Sequence, residues 1–173
     1  MENYIPDIYQ KSIYTIDYNK LKSRGIKCIL FDLDNTLVPV NIKEVNRKLK
    51  DLFDDLKSMG FRIAIFSNST KNRIKPFKDE LGVDGWCFVC KPFRKKFLEA
   101  LKQYNCKENE VAIIGDQILT DILGGNKIGI TTVLINPISK KDFFFTRFNR
   151  MREKRIMTKL RKHNLFVKGR YYE

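Results

Sequence analysis

The stretch that most constrains this chain is Cys28-Ile29-Leu30-Phe31-Asp32-Leu33-Asp34-Asn35-Thr36-Leu37. An apolar run from Ile26 to Phe31, broken only by Lys27, ends in two carboxylates. Apolar residues on both faces suit a parallel strand covered by helices on each side. Ligands of open α/β sheets lie beyond the carboxyl ends of the strands, where Asp32 and Asp34 fall. A spacing of two puts both side chains on one side of an extended backbone. Two acids held together at a strand tip are costly unless a cation or a proton lies between them. Taken alone, D-x-D is equally consistent with a loop acid that caps the following helix.

The rest of the chain keeps alternating strand and helix signals. Val45, Leu49, Leu52, Phe53 and Leu56 recur at helical spacing, predicting a helix over 43–59 closed by Gly60. A strand over 61–66 follows, then a helix that Thr70 is placed to cap and that Pro76 should kink or shorten before Leu81. Further strands are expected over 86–89, 110–114 and 131–135. Between them fall a helix from Pro92 to about Tyr104 and a short one over 121–127. This order predicts an α/β fold built on a doubly wound parallel sheet, joined by right-handed crossovers. Residues 1–25 read as an irregular, aromatic-rich segment packing on the core, with Asp17 capping a short helix stopped at Gly25. Residues 26–138 form the core, and residues 139–173 a basic, aromatic, helical tail.

Charge and cysteine usage narrow the partners. The chain of 173 residues carries a net charge of +14, which points to nucleic acid, an acidic membrane surface or phosphorylated substrates. From Lys140 to Glu173, twelve Lys/Arg face three acids, so most of the excess lies outside the motif-bearing core. Four cysteines sit among apolar neighbours behind a polar start, and no window approaches the roughly 18 apolar residues of a membrane span. A cytoplasmic location with free thiols is expected. Cys87 and Cys90 have the spacing of a zinc knuckle but lack a second pair, so strand burial is the expectation for them. Cys28 and Cys106 read as core packing.

Asp-Leu-Asp-Asn-Thr-Leu over 32–37 resembles motif I of the haloacid dehalogenase-like (HAD) phosphohydrolases, D-x-D-x-T. Ser67 at the end of its strand is similar to motif II, and Lys91 in Cys90-Lys91-Pro92 to motif III. Gly115-Asp116 with Asp121 matches the G-D-x-x-x-x-D form of motif IV, although Gln117 departs from the D-D variant. Residues 25–38, 115–126 and 133–138 narrow the likeness to the type III group that includes phosphatidylglycerophosphate phosphatases. Many HAD enzymes insert a cap domain. Here 32 residues separate Asp34 from Ser67 and 23 separate Ser67 from Lys91, room for one helix and one strand each. An uncapped site, open to large substrates, is expected.

The resemblance implies a Mg²⁺-dependent phosphatase working through an aspartyl-phosphate. A phosphate monoester repels a carboxylate nucleophile, and a bridging cation removes that repulsion. Asp32 would be the nucleophile, and Asp34 would protonate the leaving oxygen and then deprotonate the attacking water. Ser67, Asn68 and Lys91 would hold the phosphoryl oxygens. Asp32, Asp116, Asp121 and the backbone carbonyl of Asp34 would hold the metal. Each also has a plainer reading: Ser67 a helix cap, Lys91 a solvated lysine, Asp121 a first-turn helix acid.

On a helical wheel, Phe144, Phe148 and Met151 share a stripe that spreads into Phe145, Ile156 and Leu160, with Arg147, Arg150, Lys154 and Arg161 roughly opposite. Such a helix either lies in an anionic membrane interface or packs its stripe on the sheet, and nucleic acid would satisfy the same charges. With the family likeness, the tail suggests phosphatidylglycerophosphate, presented at the cytoplasmic face of a membrane, as substrate. The alternatives are a protein, nucleic-acid or soluble phosphate substrate, or a basic binding protein on a non-catalytic HAD fold.

Overall fold

A six-stranded, all-parallel sheet in the order β1-β6-β5-β2-β3-β4 organises the protein. The computed structural model describes residues 1–142 and 144–173, the side chains of Phe144 and Phe145 excepted. The strands are β1 (Ile8–Gln10), β2 (Cys28–Phe31), β3 (Arg62–Phe66), β4 (Asp84–Trp86), β5 (Val111–Gly115) and β6 (Thr131–Ile135). The helices are α1 (Tyr18–Ser23), α2 (Arg47–Ser58), α3 (Lys71–Leu81), α4 (Arg94–Tyr104), α5 (Leu123–Asn126) and α6 (Phe144–Lys162), with a π-helical turn over Ile118–Ile122.

Both sheet faces are covered, which is why β2 and β5 are buried at every position. One face packs on Leu49, Phe53 and Leu56 of α2 and Ile74, Phe77 and Leu81 of α3. The other packs on Phe97, Ala100, Leu101 and Tyr104 of α4. Side-chain caps start the helices as the sequence suggests: Asp17 accepts from Lys20 N, Asn46 from Leu49 N and Thr70 from Arg73 N. Pro76 is accommodated inside α3, which runs unbroken to Leu81.

Two elements differ from expectation. Residues 8–10, expected to be irregular, form the edge strand β1, paired with β6 from Ile8 opposite Val133 to Gln10 opposite Ile135. Tyr9 then exchanges backbone hydrogen bonds with Tyr172 at 2.8 and 2.9 Å, so the last residues cover that edge. The strand expected over 86–89 lies two residues earlier, because Phe88 and Cys90 take left-handed backbone conformations (φ 49° and 57°) that no strand continues through. Cys90 is consequently exposed and Cys87 half-buried in a loop, while Cys28 is buried in β2.

The tail helix α6 packs Ile156, Met157 and Leu160 against Tyr9, Ile118, Ile122 and Leu134. Ile156 and Leu160 of the expected stripe are thus spent on the protein, while Phe148 and Met151 are 63% and 60% exposed. Phe143 and the side chains of Phe144 and Phe145 lie outside the described residues. Arg150 is not on the solvent face with Arg147, Lys154 and Arg161; it turns inward. No helix among the described residues is long and apolar enough to cross a membrane.

Candidate active site

The chain turns outward in opposite directions from β2 and β5, and the crevice between these adjacent strands opens at their carboxyl ends. Asp32 N donates to Ile114 O at 2.9 Å, extending the sheet by one bond and fixing Asp32 beside Asp116. Asp121 reaches the same crevice from the π-helical turn. Its Oδ2 accepts from Gln117 N at 3.1 Å, and a Cβ built on Gly115 would sit 2.2 Å from that oxygen. Only glycine permits this approach. The carboxylates of Asp32, Asp116 and Asp121 place ligand atoms within 4.8 Å of one another, all buried.

Lys91 is buried with them. Its Nζ donates to Asp32 Oδ1 at 2.7 Å and to Phe66 O at 2.7 Å, and lies 2.8 Å from Asp121 Oδ1. That last oxygen is in ion-pair range but has no hydrogen bond among the described residues. The solvated-lysine reading of Lys91 is therefore excluded. Asn68 holds this lysine in place: its Oδ1 accepts from Lys91 N at 2.7 Å and its Nδ2 donates to Lys91 O at 3.2 Å. The expected phosphate donor thus has its side-chain amide committed to Lys91. Ser67 is buried at the end of β3, its Oγ accepting from Ser69 N at 3.1 Å.

Asp34 stands apart from the acidic cluster. Its Oδ1 accepts from Arg73 Nε and Nη2 at 3.0 and 2.8 Å, and its Oδ2 from Ser69 Oγ at 3.0 Å. The D-x-D spacing thus brings both acids to one pocket but not to one cation, since the chain leaves strand geometry at Asp32. Asp32, Asp34, Ser67, Asn68 and Lys91 line a pocket of about 230 Å³ whose far wall is Thr146 and Asn149 of α6.

Arg150 completes the electrostatics. Its Nη1 donates to Asp116 O at 2.8 Å, its Nη2 pairs with Asp116 Oδ2, and its Nε lies 3.5 Å from Asp142. Thr36 Oγ1 donates to Asp116 Oδ1 at 3.0 Å. Asn35 ties the segment before α6 to the motif loop by donating to Lys141 O and Asp142 Oδ1 and accepting from Ser139 Oγ. Neither Arg73 nor Arg150 has a local signature; each is selected by an acid 39 or 34 residues away.

Burial raises the pKa of Asp32 to about 8, Lys91 opposing the rise and Asp121 and Asp116 adding to it. Burial likewise lifts Asp116 to about 6, against the pull of Arg150. Burial works against charge on Lys91, yet Asp121 and Asp32 outweigh it and hold the ammonium protonated. Three carboxyl groups crowded against two cations favour a proton or a divalent ion among them.

The family described as mitochondrial PGP phosphatase matches residues 1–139. The probable phosphatase YqeG of Bacillus subtilis is 39% identical over 159 residues, 92% of each chain. The chloroplastic/mitochondrial phosphatidylglycerophosphate phosphatase 1 of Arabidopsis thaliana is 30% identical over 80% of this chain, which spans 42% of that longer protein. Among solved structures, the cobalt-bound deoxy-D-mannose-octulosonate 8-phosphate phosphatase of Haemophilus influenzae superposes with a TM-score of 0.55 at 16% identity, covering 80% of this chain and 94% of that one. The corresponding Moraxella catarrhalis enzyme, solved with magnesium and phosphate ions, gives a TM-score of 0.54 at 17% identity over 70% of this chain and 75% of that one. A family match over residues 1–139, with a relative 39% identical over 92% of each chain, places this chain in the mitochondrial PGP phosphatase family, as a HAD-superfamily phosphatase.

Proposed function

We propose that the chain removes the terminal phosphate of phosphatidylglycerophosphate, with Mg²⁺ as its cation and Asp32 as nucleophile. The chemistry rests chiefly on the buried cluster of Asp32, Asp116 and Asp121. Its donor set fits Mg²⁺: a few hard carboxylate oxygens, one of them, Asp121 Oδ1, fully buried with the Lys91 ammonium at 2.8 Å as its partner among the described residues. Asp32, Asp116 and Asp121, with the backbone carbonyl of Asp34, would hold the ion. When bound, it supplies positive charge between nucleophile and phosphate dianion.

Lys91 holds Asp32 by Oδ1, leaving Oδ2 to attack phosphorus. The Asp32 Oδ2–phosphorus bond forms as the bond to the glycerol oxygen breaks, and Asp34, entering this step in its protonated form, gives that oxygen its proton. Water then attacks the aspartyl-phosphate, Asp34 takes a proton from it, and inorganic phosphate leaves. Ser67 and Lys91 bind the phosphoryl oxygens, while Asn68 positions Lys91 through its backbone. Arg73 and Ser69 keep the Asp34 carboxylate at the pocket rim, where a leaving oxygen would arrive.

The likeness to the Arabidopsis phosphatidylglycerophosphate phosphatase supports the lipid substrate, and the magnesium ion of the Moraxella enzyme supports the cation. The exposed cations of α6 would draw the protein to an anionic membrane at its cytoplasmic face. A phosphate-release screen with Mg²⁺ across lipid, peptide, nucleotide and sugar phosphates tests the reading. Phosphatidylglycerophosphate should give the highest kcat/KM, and chelation should abolish release. A sugar or nucleotide phosphate preferred by tenfold or more would sink the lipid assignment.

A further inference from the structure

The tail closes a second space that the phosphate pocket does not use. Between α6, the residues after it and the β1–β6 edge lies a cavity of about 300 Å³. Its lining is mostly carbon, supplied by Ile118, Leu134, Met157 and Phe166, and it also meets the exposed Lys154 and Lys168. The two spaces adjoin. Asp116 and Arg150 face the cavity, while their chain neighbours Gln117 and Asn149 face the phosphate pocket. The Arg150–Asp116 ion pair lines the cavity, one residue along each chain segment from the phosphate pocket.

An apolar cleft of this size leaves its lining short of contacts that an apolar occupant would supply. Here Phe148 and Met151, on the same helix, point to solvent rather than filling it. The volume sits at the lower end of the ~300–1,000 Å³ typical of small-molecule sites. That is room for a stretch of one alkyl chain and too little for two. Two ammonium groups beside an apolar lining favour an occupant that is itself anionic next to its hydrocarbon.

We infer that this cavity is an acyl subsite: it takes one alkyl chain of an anionic glycerolipid whose terminal phosphate lies against Asp32. Lys154 and Lys168 meet the phosphodiester between chain and headgroup. This inference rests on the lipid-phosphatase reading for its substrate, but the cavity can be tested without turnover. Binding held remotely from the reacting phosphate is a means of placing that phosphate for attack.

Dihexanoyl-phosphatidylglycerol, below its micelle concentration, carries short chains and a phosphodiester but no phosphate monoester. It should bind the full chain saturably in calorimetry. Met157→Trp, which fills the cavity, and Lys168→Glu, an exposed exchange that does not threaten folding, should each weaken binding tenfold or more. In both variants, kcat/KM for dihexanoyl-phosphatidylglycerophosphate relative to glycerol 3-phosphate should fall by a similar factor. Absent binding to the unaltered protein, or binding indifferent to both variants, overturns the acyl subsite whatever ester the enzyme prefers. Saturable, variant-sensitive binding without phosphate release from the phosphorylated lipid supports the subsite and overturns the lipid-phosphatase reading instead.

Discussion

At the scale of single residues, the proposed chemistry and the instability of the site meet in Asp32. Asp32→Asn keeps the shape and removes the proposed nucleophile, so turnover should be lost. The same exchange removes one of three crowded carboxylates, and the metal-free variant should be more stable on the order of 1–3 kcal/mol, read as a raised Tm. A drop in Tm would mean that the pair with Lys91 outweighs the crowding. Asp32, Asp116 and Glu153 all have pKa values raised by burial, to about 8, 6 and 7. An acid whose folded pKa exceeds its unfolded one binds more protons when folded, so stability falls as pH rises between the two. Without metal, Tm should therefore decline from about pH 4 to about pH 8. Added Mg²⁺ should raise Tm more at pH 8 than at pH 6, and an equal gain would contradict a metal held by these acids. The acids and Lys91 were legible in the sequence because the chemistry dictates residue type and order. Arg73 and Arg150 were not, since any surface helix of a basic protein offers such arginines and only tertiary placement selects one.

At the scale of elements, the turn after β5 is the most exacting piece. Gly115→Ala would drive a methyl into Asp121, and the π-helical turn would have to shift. Mg²⁺ affinity, followed by calorimetry, should fall tenfold or more while the circular dichroism spectrum stays that of the parent. Unchanged affinity would remove Asp121 from the proposed ligand set. Strands buried on both faces were readable as apolar runs, and β2, β3, β5 and β6 lie within a residue or two of expectation. β1 escaped because three residues carry no periodicity; only β6 and Tyr172 beside it make it a strand. β4 was misplaced by the apolar letters of 86–89, where left-handed backbone at Phe88 and Cys90 ends the pairing early.

Across the whole molecule, the tail serves the protein before any membrane. The wheel separated apolar from basic positions but could not say which apolar residues the sheet would claim, nor that Arg150 would face Asp116. A test of membrane attraction must therefore leave Arg150 alone. Replacing Arg147, Arg155 and Lys159, all exposed, by Glu reverses the charge without touching Asp116 or the cavity lining. The parent should sediment with phosphatidylglycerol-containing vesicles, less with neutral ones and less again in high salt, each basic residue near the surface contributing about 1 kcal/mol. The triple variant should lose at least tenfold in vesicle affinity. Unaltered sedimentation would leave the basic surface without a role in membrane binding.

The pairing of Tyr172 with Tyr9 has a consequence for the order in which the molecule is made. Synthesis delivers β1 first, yet its neighbour β6 arrives more than a hundred residues later, and its outer edge stays open until residue 172. The side of the pocket formed by Ser67 and Lys91, proposed to take the phosphate, can assemble while the ribosome is still working. Its far wall cannot, because Thr146 and Asn149 are not yet present. Domains tend to fold from the amino end as they emerge, and unpaired edges are where nascent chains stick to one another. A chain broken off before residue 140 would therefore carry every motif residue and still present a naked strand, making it a substrate for quality control rather than a small enzyme.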